Sequence, residues 1–150
     1  MVSYIDFVIE DEPWNYYELE DKTTIKTRLI LIKVTLEGVD EVGNPIYNSN
    51  SQTVVGALIP DELKGEQSKK KYTLKERIDA TEKVVKFKTK KEGWNKYKLG
   101  DGNLFEVKLE LTKVARTTLY DSRGERLYLV NSQPVFRITT AKELAQAQST

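Results

Sequence analysis

The feature of this sequence that most constrains its fold is an internal repeat with an offset of 80 residues. The two tryptophans lie 80 positions apart, as Trp14-Asn15 and Trp94-Asn95, and eleven residues from position 7 to position 34 are identical to their partners at this offset. From position 40 the offset becomes 81, and nine more identities follow up to Glu62-Leu63 and Glu143-Leu144. Chance agreement with one insertion gives only a few identities, so we interpret the chain as a tandem duplication.

The repeat divides the chain into a first half at residues 1–64, a linker at 65–81 and a second half at 82–150. The linker is charged and poor in apolar residues, and its stretch Leu74–Ala80 favours one or two helical turns. A unit of about 60 residues is marginally stable alone, because it buries a small share of its surface. We therefore expect the two halves to pack as one body with pseudo-two-fold symmetry.

Each half has the alternation of apolar and polar residues that is typical of β-strands. Ile5, Phe7 and Ile9 share one parity and predict a single first strand. A Trp-Asn-x-Tyr-x-Leu strand, a long third strand and a fourth strand follow in each half. The third strand covers about 24–38 or 104–120, and the fourth about 46–59 or 127–139.

The turns of the sequence complete the expected fold. Asp40-x-x-Gly43 and Asp121-x-x-Gly124 predict type I turns with a left-handed glycine. The expected fold class is all-β, either an internally duplicated antiparallel β-sandwich or fused small β-barrels. About four strands in each half and a short helical linker are expected.

The two halves carry opposite charge. Residues 1–64 have 5 basic and 12 acidic side chains, a net charge of −7, whereas residues 82–150 have 14 and 8, a net charge of +6. Asp6, Glu10, Asp11 and Glu18 correspond at an offset of 80 to Lys86, Lys90, Lys91 and Lys98. Three interpretations stay open: relief of repulsion between packed halves, head-to-tail association of complementary faces, and binding of a polyanion by the second half.

One parity of the long third strand differs between the halves. Leu29 and Leu31 recur in the second half as leucines, so this parity is expected to face the core. The opposite parity is apolar only in the first half, at Ile30, Ile32, Val34 and Leu36. A strand that is apolar on both faces is covered on both faces, here by the linker, the C-terminal tail or a partner chain. These four residues are our candidate partner-binding residues.

Lysines alternate with aromatic residues at the start of the second half. The lysines are Lys83, Lys86, Lys88, Lys90, Lys91, Lys96 and Lys98, and the aromatic residues are Phe87, Trp94 and Tyr97. A basic groove with stacking aromatics is typical of sites for single-stranded nucleic acid. The same aromatics recur in the acidic half, which favours a structural role. A nucleic-acid patch that adds Lys83, Lys88 and Lys96 to the charged face is therefore the alternative.

Two other repeated groups have simpler structural interpretations. Asp40 and Asp121 invite comparison with paired carboxylates at a two-fold axis, but their Asp-x-x-Gly context favours capping of turn N–H groups. The longest identical run is Asn50-Ser51-Gln52, which recurs as Asn131-Ser132-Gln133. Three polar residues within an apolar strand indicate a bulge, a buried hydrogen-bond cluster or a ligand site present twice.

Composition excludes several classes of protein. The chain has no cysteine and no histidine, so disulfides, zinc fingers and thiol or imidazole catalysis are excluded. Neither a phosphate-binding glycine loop nor a metal-ligand spacing is present, and we expect no cofactor, no metal and no enzymatic activity. No signal-peptide pattern and no apolar run of ~18 residues occur, so we expect a cytoplasmic protein without a membrane partner. The Lys-, Glu-, Ile- and Val-rich composition is typical of thermophile proteins.

The function expected from these patterns is that of a non-enzymatic interaction or assembly module. It would dock on a protein partner or a second copy through charge-complementary faces and the apolar strand face of the first half. Polyanion or nucleic-acid binding through the lysine-rich face of the second half is the alternative function.

Overall fold

The computed structural model of the chain describes residues 3–148, which are mostly β-structure. The strands are β1 (Ser3–Ile5), β2 (Phe7–Asp11), β3 (Asn15–Leu19), β4 (Thr24–Val39), β5 (Pro45–Leu58), β6 (Thr81–Val84), β7 (Phe87–Lys91), β8 (Trp94–Leu99), β9 (Leu104–Tyr120) and β10 (Arg126–Thr139). A 3-10 turn (Asp61–Leu63) and two short helices, α1 (Leu74–Asp79) and α2 (Ala141–Gln148), complete the described part. Neither helix is long and apolar enough to cross a membrane.

The strands form two antiparallel sheets, and the all-β expectation is thereby confirmed. In sheet A, β4 pairs with β5 on one side and with β3 and β1 on the other, and β3 pairs onward with β7. In sheet B, β9 pairs with β10 on one side and with β8 and β6 on the other, and β8 pairs onward with β2. Over residues 3–148 neither sheet closes on itself, so the alternative of fused barrels is wrong.

Each half of the chain gives one strand to the sheet of the other half. Strand β2 comes from the first half but pairs with β8 in sheet B, and β7 comes from the second half but pairs with β3 in sheet A. The chain changes sheet at Asp6 and at Lys86. The carbonyl of Asp6 accepts a hydrogen bond from the Gly100 N–H at 2.7 Å, and that of Lys86 accepts one from the Glu20 N–H at 2.9 Å.

The expectation of one first strand through Ile5, Phe7 and Ile9 is therefore wrong. The strand is broken at Asp6, so that β1 stays in sheet A while β2 enters sheet B. The break adds a strand to each half, and each contributes five strands instead of about four. The alternation of apolar and polar residues does not reveal such a break, because β1 and β2 both keep the two-residue period of a β-strand.

Two hydrophobic clusters lie between the sheets, and both sheets contribute to each. The first contains Leu29, Leu31 and Val34 from β4 together with Tyr97, Leu99, Phe105, Val107 and Leu109. The second contains Tyr17, Leu19, Ile25, Val85, Leu111 and Val114. Burying one such side chain contributes about 1.5–3 kcal/mol, so the stability of either sheet depends on the other.

The two Asp-x-x-Gly turns have the geometry that the sequence predicts. In each turn one carboxylate oxygen of Asp40 or Asp121 accepts hydrogen bonds from the backbone N–H groups two and four residues ahead, at 2.8–3.0 Å. Gly43 and Gly124 have φ angles of 85° and 78°, in the left-handed region that favours glycine. Both aspartates are therefore turn residues.

The linker is ordered where it meets the second of these turns. The Gly65 N–H donates to the carbonyl of Gly124 at 2.8 Å, and the Ser68 N–H donates to that of Asp121 at 3.0 Å. The predicted helical turns are present as α1, which begins after a capping box formed by Thr73 and Glu76.

Candidate docking surface

A β-bulge at Ile32 divides the apolar stripe that the sequence predicts on β4. Leu31 pairs with Ser51 and Lys33 pairs with Asn50, so Ile32 has no partner in β5 and the alternation of faces reverses. Val34 consequently lies on the core side and is 0% exposed, whereas Ile32 is 52% exposed.

The expectation that Ile30, Ile32, Val34 and Leu36 form one face is therefore wrong. Val34 belongs to the core, and Leu36 shares its parity beyond the bulge and is half-buried. Ile30 and Ile32 stay on the outer side of sheet A, where Ile30 lies opposite Gln52 of β5. The spacing of the residues kept in both halves, Leu29, Leu31 and then Val34, was a signal of this bulge.

The outer faces of the two sheets differ in chemistry at matched positions. Sheet A presents Ile30, Ile32 and the exposed Val54. In sheet B the positions of Ile30 and Ile32 hold Glu110 and Thr112.

Sheet B carries an ionic network on this face. Lys108 Nζ lies 3.4 Å from Glu110 Oε1, and Arg137 makes two hydrogen bonds of 2.9–3.1 Å to the buried Glu106 carboxylate. The Arg137 guanidinium also lies 4.1 Å from the ring centroid of Trp94. Sheet A has a similar cluster in which Lys26 and Arg28 lie over Trp14, so its outer face is the more apolar of the two only at Ile30 and Ile32.

The edge of sheet A is formed by β5, which pairs with β4 on one side only. This strand has 14 residues and no charged side chain, and residues 50–55 are all exposed. Its counterpart β10 is equally long but contains Arg126, Pro134 and Arg137. Proline and charge are the usual protection of an open strand edge. Strand β5 has no charge, and its proline, Pro45, is its first residue and leaves the rest of the strand without this protection.

The residues of the predicted charge-complementary faces do not form two separate faces. Because β2 and β7 change sheets, acidic and basic residues of opposite halves become neighbours: Glu18 Oε2 lies 3.2 Å from Lys90 Nζ, and Asp11 lies opposite Lys96. Of the others, Asp6 and Lys86 lie at the two sheet changes, Glu10 is exposed on β2, Lys91 lies opposite Tyr16, and Lys98 lies opposite Val8. The opposite charges of Glu18 and Lys90, and of Asp11 and Lys96, thus lie beside each other within one molecule.

The lysines of the predicted nucleic-acid patch are also divided between the sheets. Lys88, Lys90 and Lys91 lie on β7 in sheet A, whereas Lys83, Lys96 and Lys98 lie on β6 and β8 in sheet B. Lys83 Nζ lies 2.9 Å from Glu20 Oε1.

A groove of about 390 Å³ beside β7 combines both signs of charge. Lys22, Lys86 and Lys88 line it together with Glu18 and Glu20. The aromatic residues do not form a stacking platform, because Tyr97 is buried in the core and Trp94 is covered by cations.

Two buried tyrosines connect the halves, a role that sequence reasoning missed. The Tyr17 hydroxyl donates to a Glu92 carboxylate oxygen at 2.5 Å, and the Tyr97 hydroxyl donates to Glu12 at 2.8 Å. Burial first, and then the neighbouring carboxylate, raises the pKa of both phenols above the ordinary tyrosine value. The signal was that glutamate and tyrosine stay identical in both halves while nearby charges reverse.

A second pair of crossed contacts involves Asp21 and Asp101, which are identical at the offset of 80 and lie in the turns that follow β3 and β8. The Tyr128 hydroxyl donates to Asp21 at 2.8 Å, and the Tyr47 hydroxyl donates to Asp101. Burial raises the pKa of both phenols to about 12. Burial of Asp21 opposes its ionisation, but hydrogen bonds from Thr23, Tyr128 and Arg116 outweigh it and hold the pKa of this carboxyl below its ordinary value.

The repeated Asn-Ser-Gln run lies on the open edge strands and does not form a buried cluster. Asn50, Ser51 and Gln52 are exposed on β5, directly opposite the bulge in β4. The same arrangement occurs in sheet B, where Asn131 and Ser132 flank the point at which Thr112 is skipped. The expected bulge is therefore present, although the partner strand carries it.

Comparison of the chain with protein families, with curated proteins and with solved structures found no match. Function is consequently inferred from the geometry of this chain. Within that geometry, sheet A combines an apolar outer patch with an unprotected strand edge.

Proposed function

We propose that this chain is a non-enzymatic protein-interaction module that docks through the first-half side of sheet A. We call this side the sheet A surface, and define it as Ile30, Ile32 and Val54 together with the open edge of β5. The observation that carries the proposal is the exposure of Ile32, which lies at the bulge on the outer side of sheet A, is 52% exposed and corresponds to Thr112 in the second half. Exposed apolar residues beside an open edge are typical of a protein contact.

The strand pairings support the further proposal that the chain is an internal duplication with pseudo-two-fold symmetry. Strands β1 to β5 pair in the first half as β6 to β10 pair in the second, including the strand given to the other sheet. The duplication allows the two outer faces to differ, so that one half keeps a charged face while the other provides the contact.

The placement of charges supports docking through apolar rather than charged faces. Glu18 and Lys90, and likewise Glu20 and Lys83, form ion pairs between halves within one molecule. This favours the interpretation in which the charge reversal relieves repulsion between packed halves. Ile32 and Val54 of the apolar patch are by contrast 52% and 38% exposed.

The proposal is tested by light scattering behind a sizing column, at low and high salt, on the wild type and on Ile32→Glu. We expect an assembly that persists at high salt, because apolar contacts are not screened. Ile32→Glu should dissociate it, whereas the matched control Thr112→Glu on sheet B should not. An assembly that Ile32→Glu leaves unchanged would contradict the proposal.

Polyanion binding is the second candidate function, and the observation that favours it is the set of three lysines on β7. These are Lys88, Lys90 and Lys91, at the edge of sheet A opposite to β5. Reversal of Lys88, Lys90 and Lys91 to glutamate should abolish a salt-sensitive complex with single-stranded nucleic acid, measured by fluorescence anisotropy. Absence of salt-dependent binding by the wild type would exclude this candidate.

A further inference from the structure

We infer that the partner of the sheet A surface is a second copy of this chain, added edge to edge along β5 in the antiparallel direction. This inference rests on the proposed function, since it names the partner of the same surface. The product would be one continuous sheet in which two copies of sheet A meet at a two-fold axis.

Strand β5 pairs with a neighbouring strand on one side only. Its 14 residues extend over about 46 Å at the usual rise of a strand. Every second residue of an edge strand directs its N–H and C=O away from the sheet, and these groups favour pairing with another strand. Ser51, Thr53 and Val55 are exposed along this edge.

The matched strand β10 carries two arginines and an interior proline, Pro134, whereas β5 has no charge and its proline, Pro45, is only its first residue. Pro134 lies opposite Leu109 in the ladder, and Thr53 lies opposite Leu29 in the matched register. Proline has no N–H and is placed in edge strands where that position faces away from the neighbour. The register therefore directs the Thr53 N–H to the open edge, where an incoming strand can accept its hydrogen bond.

The edge strands that the halves exchange are protected in a different way. Strand β2 carries Glu10 and Asp11 at the edge of sheet B, and β7 carries Lys88, Lys90 and Lys91 at the edge of sheet A. Antiparallel self-pairing of either strand places several like charges close together, which is destabilising. Strand β5 is different because none of its side chains is charged.

Strand β5 is self-complementary, and this property selects a second copy of the chain as the partner. In a two-fold pairing each residue of β5 lies opposite a residue of the same strand, and an uncharged strand meets no like charge in any register. Near the middle of β5, Gln52 lies on the outer face, opposite Ile30. With the axis at Gln52, its amide can both donate to and accept from its own copy, and Asn50 lies opposite Val54.

The first experiment transfers the protection of β10 to β5. Thr53→Pro copies Pro134, and it removes an outward N–H without removing a hydrogen bond to β4. Each dimer loses two hydrogen bonds, so we expect the dissociation constant, measured by sedimentation equilibrium, to rise at least about tenfold. The matched control Pro134→Thr should leave it unchanged, and thermal unfolding followed by circular dichroism shows that both variants fold.

The second experiment uses the absence of cysteine from the chain. In Gln52→Cys the introduced thiols are the only ones in the protein and face each other across the axis, so mild oxidation should give a covalent dimer. The matched control Gln133→Cys on β10 should stay monomeric at the same concentration. This variant does not disturb the edge, so it tests the inference even if Thr53→Pro fails to fold.

The outcomes separate the inference from the proposed function. An assembly that Ile32→Glu dissociates but that Thr53→Pro leaves intact, without a Gln52→Cys crosslink, overturns edge pairing and keeps the apolar docking face. An assembly that Thr53→Pro dissociates and Gln52→Cys crosslinks supports edge pairing, whatever the effect of Ile32→Glu. A wild type that stays monomeric at all concentrations overturns the inference.

Discussion

The Tyr17 hydroxyl donates a hydrogen bond of 2.5 Å to Glu92, so a fully buried side chain of the first half is joined to the segment between β7 and β8 of the second. The converse contact joins Tyr97 of β8 to Glu12, the residue that follows β2. These two contacts lie beside the strands that the halves exchange. They hold each exchanged strand at the sheet that receives it.

Removal of one of these hydroxyls should cost stability. In Tyr97→Phe the Glu12 carboxylate, whose side chain is 6% exposed, keeps its ion pair with Arg28 but loses its phenolic donor. We expect the free energy of unfolding to fall by about 1–3 kcal/mol, measured by urea denaturation. Tyr4→Phe is the control, because Tyr4 is 74% exposed, and it should change stability by less than about 0.5 kcal/mol. Equal effects of the two substitutions would contradict the role of this contact.

The raised pKa values of the buried phenols predict a loss of stability in alkali. A group whose pKa is higher in the folded state stabilises that state fully below its unfolded value, about 10 for tyrosine, and this contribution is lost as pH rises through the folded value. Burial and the carboxylates of Glu92 and Glu12 raise the pKa of Tyr17 and Tyr97. The free energy of unfolding should therefore decrease above about pH 10.

The check is urea denaturation between pH 8 and pH 12, with tyrosinate absorbance recorded in parallel. The double variant Tyr17→Phe/Tyr97→Phe should be less stable at pH 8 but should lose less stability above pH 10. If the free energies of unfolding of the wild type and the double variant decrease in parallel over this pH range, the two phenols do not contribute to the loss of stability in alkali.

The lowered pKa of Asp21 predicts a loss of stability in acid. Burial opposes its ionisation, but the Thr23 N–H, the Tyr128 hydroxyl and the Arg116 guanidinium at 3.1 Å stabilise the charged form. A carboxyl group whose pKa is lower in the folded state stabilises that state at pH values above its unfolded pKa, about 3.9. This stabilisation is lost as the pH falls through the folded pKa. Asp21→Asn should therefore reduce stability at pH 7 by about 1–3 kcal/mol and flatten its pH dependence below pH 4.

The matched control for that substitution is Asp101→Asn. Asp101 is exposed and accepts from Tyr47 and from the Asn103 N–H, whereas the side chain of Asp21 is only 8% exposed and also pairs with Arg116. We expect the Asp101 variant to lose less stability than the Asp21 variant, as measured by urea denaturation at pH 7. An equal loss would show that the Arg116 pair contributes nothing.

The parts of the fold that the sequence predicts are those that neighbouring residues determine. Asp40 and Gly43 form their turn through contacts within five residues, and the strands keep their local alternation. The break at Asp6 is different, because no local sequence signal marks it. Strands β1 and β2 are separate because β1 pairs in sheet A and β2 pairs in sheet B. The exchange of a strand between the sheets is revealed only by long-range contacts such as that between Tyr17 and Glu92, which lie 75 residues apart in the sequence.

The candidate surface was predictable only in part, for the same physical reason. The apolar excess of the first half placed Ile30 and Ile32 correctly on a face that differs between the halves. Parity then failed at Val34, because a bulge shifts every following side chain to the other face. The open edge of β5 was not predictable, since it depends on which strands pair.

The ion pair between Glu18 and Lys90 should have a small effect, because both side chains are more than a third exposed. Lys90→Glu places like charges on neighbouring strands of opposite halves, and we expect a small loss of stability at low salt. The double reversal Glu18→Lys/Lys90→Glu should recover most of this loss. Added salt should reduce the difference between the single and double variants. A double-mutant cycle, with free energies of unfolding from urea denaturation, measures the coupling between Glu18 and Lys90. A coupling energy of zero would show that the charge reversal does not act through this pair.

The two matched turn glycines should respond differently to alanine, because the linker rests on only one of them. Gly43 has open space around its missing Cβ, so Gly43→Ala should cost only the left-handed conformation, about 1–2 kcal/mol. At Gly124 an added Cβ lies 2.5 Å from the carbonyl oxygen of Gly65, which must move and lose its place on the turn. Gly124→Ala should therefore cost at least about 1 kcal/mol more, measured by urea denaturation. Equal costs would mean that the contact between the linker and this turn contributes no stability.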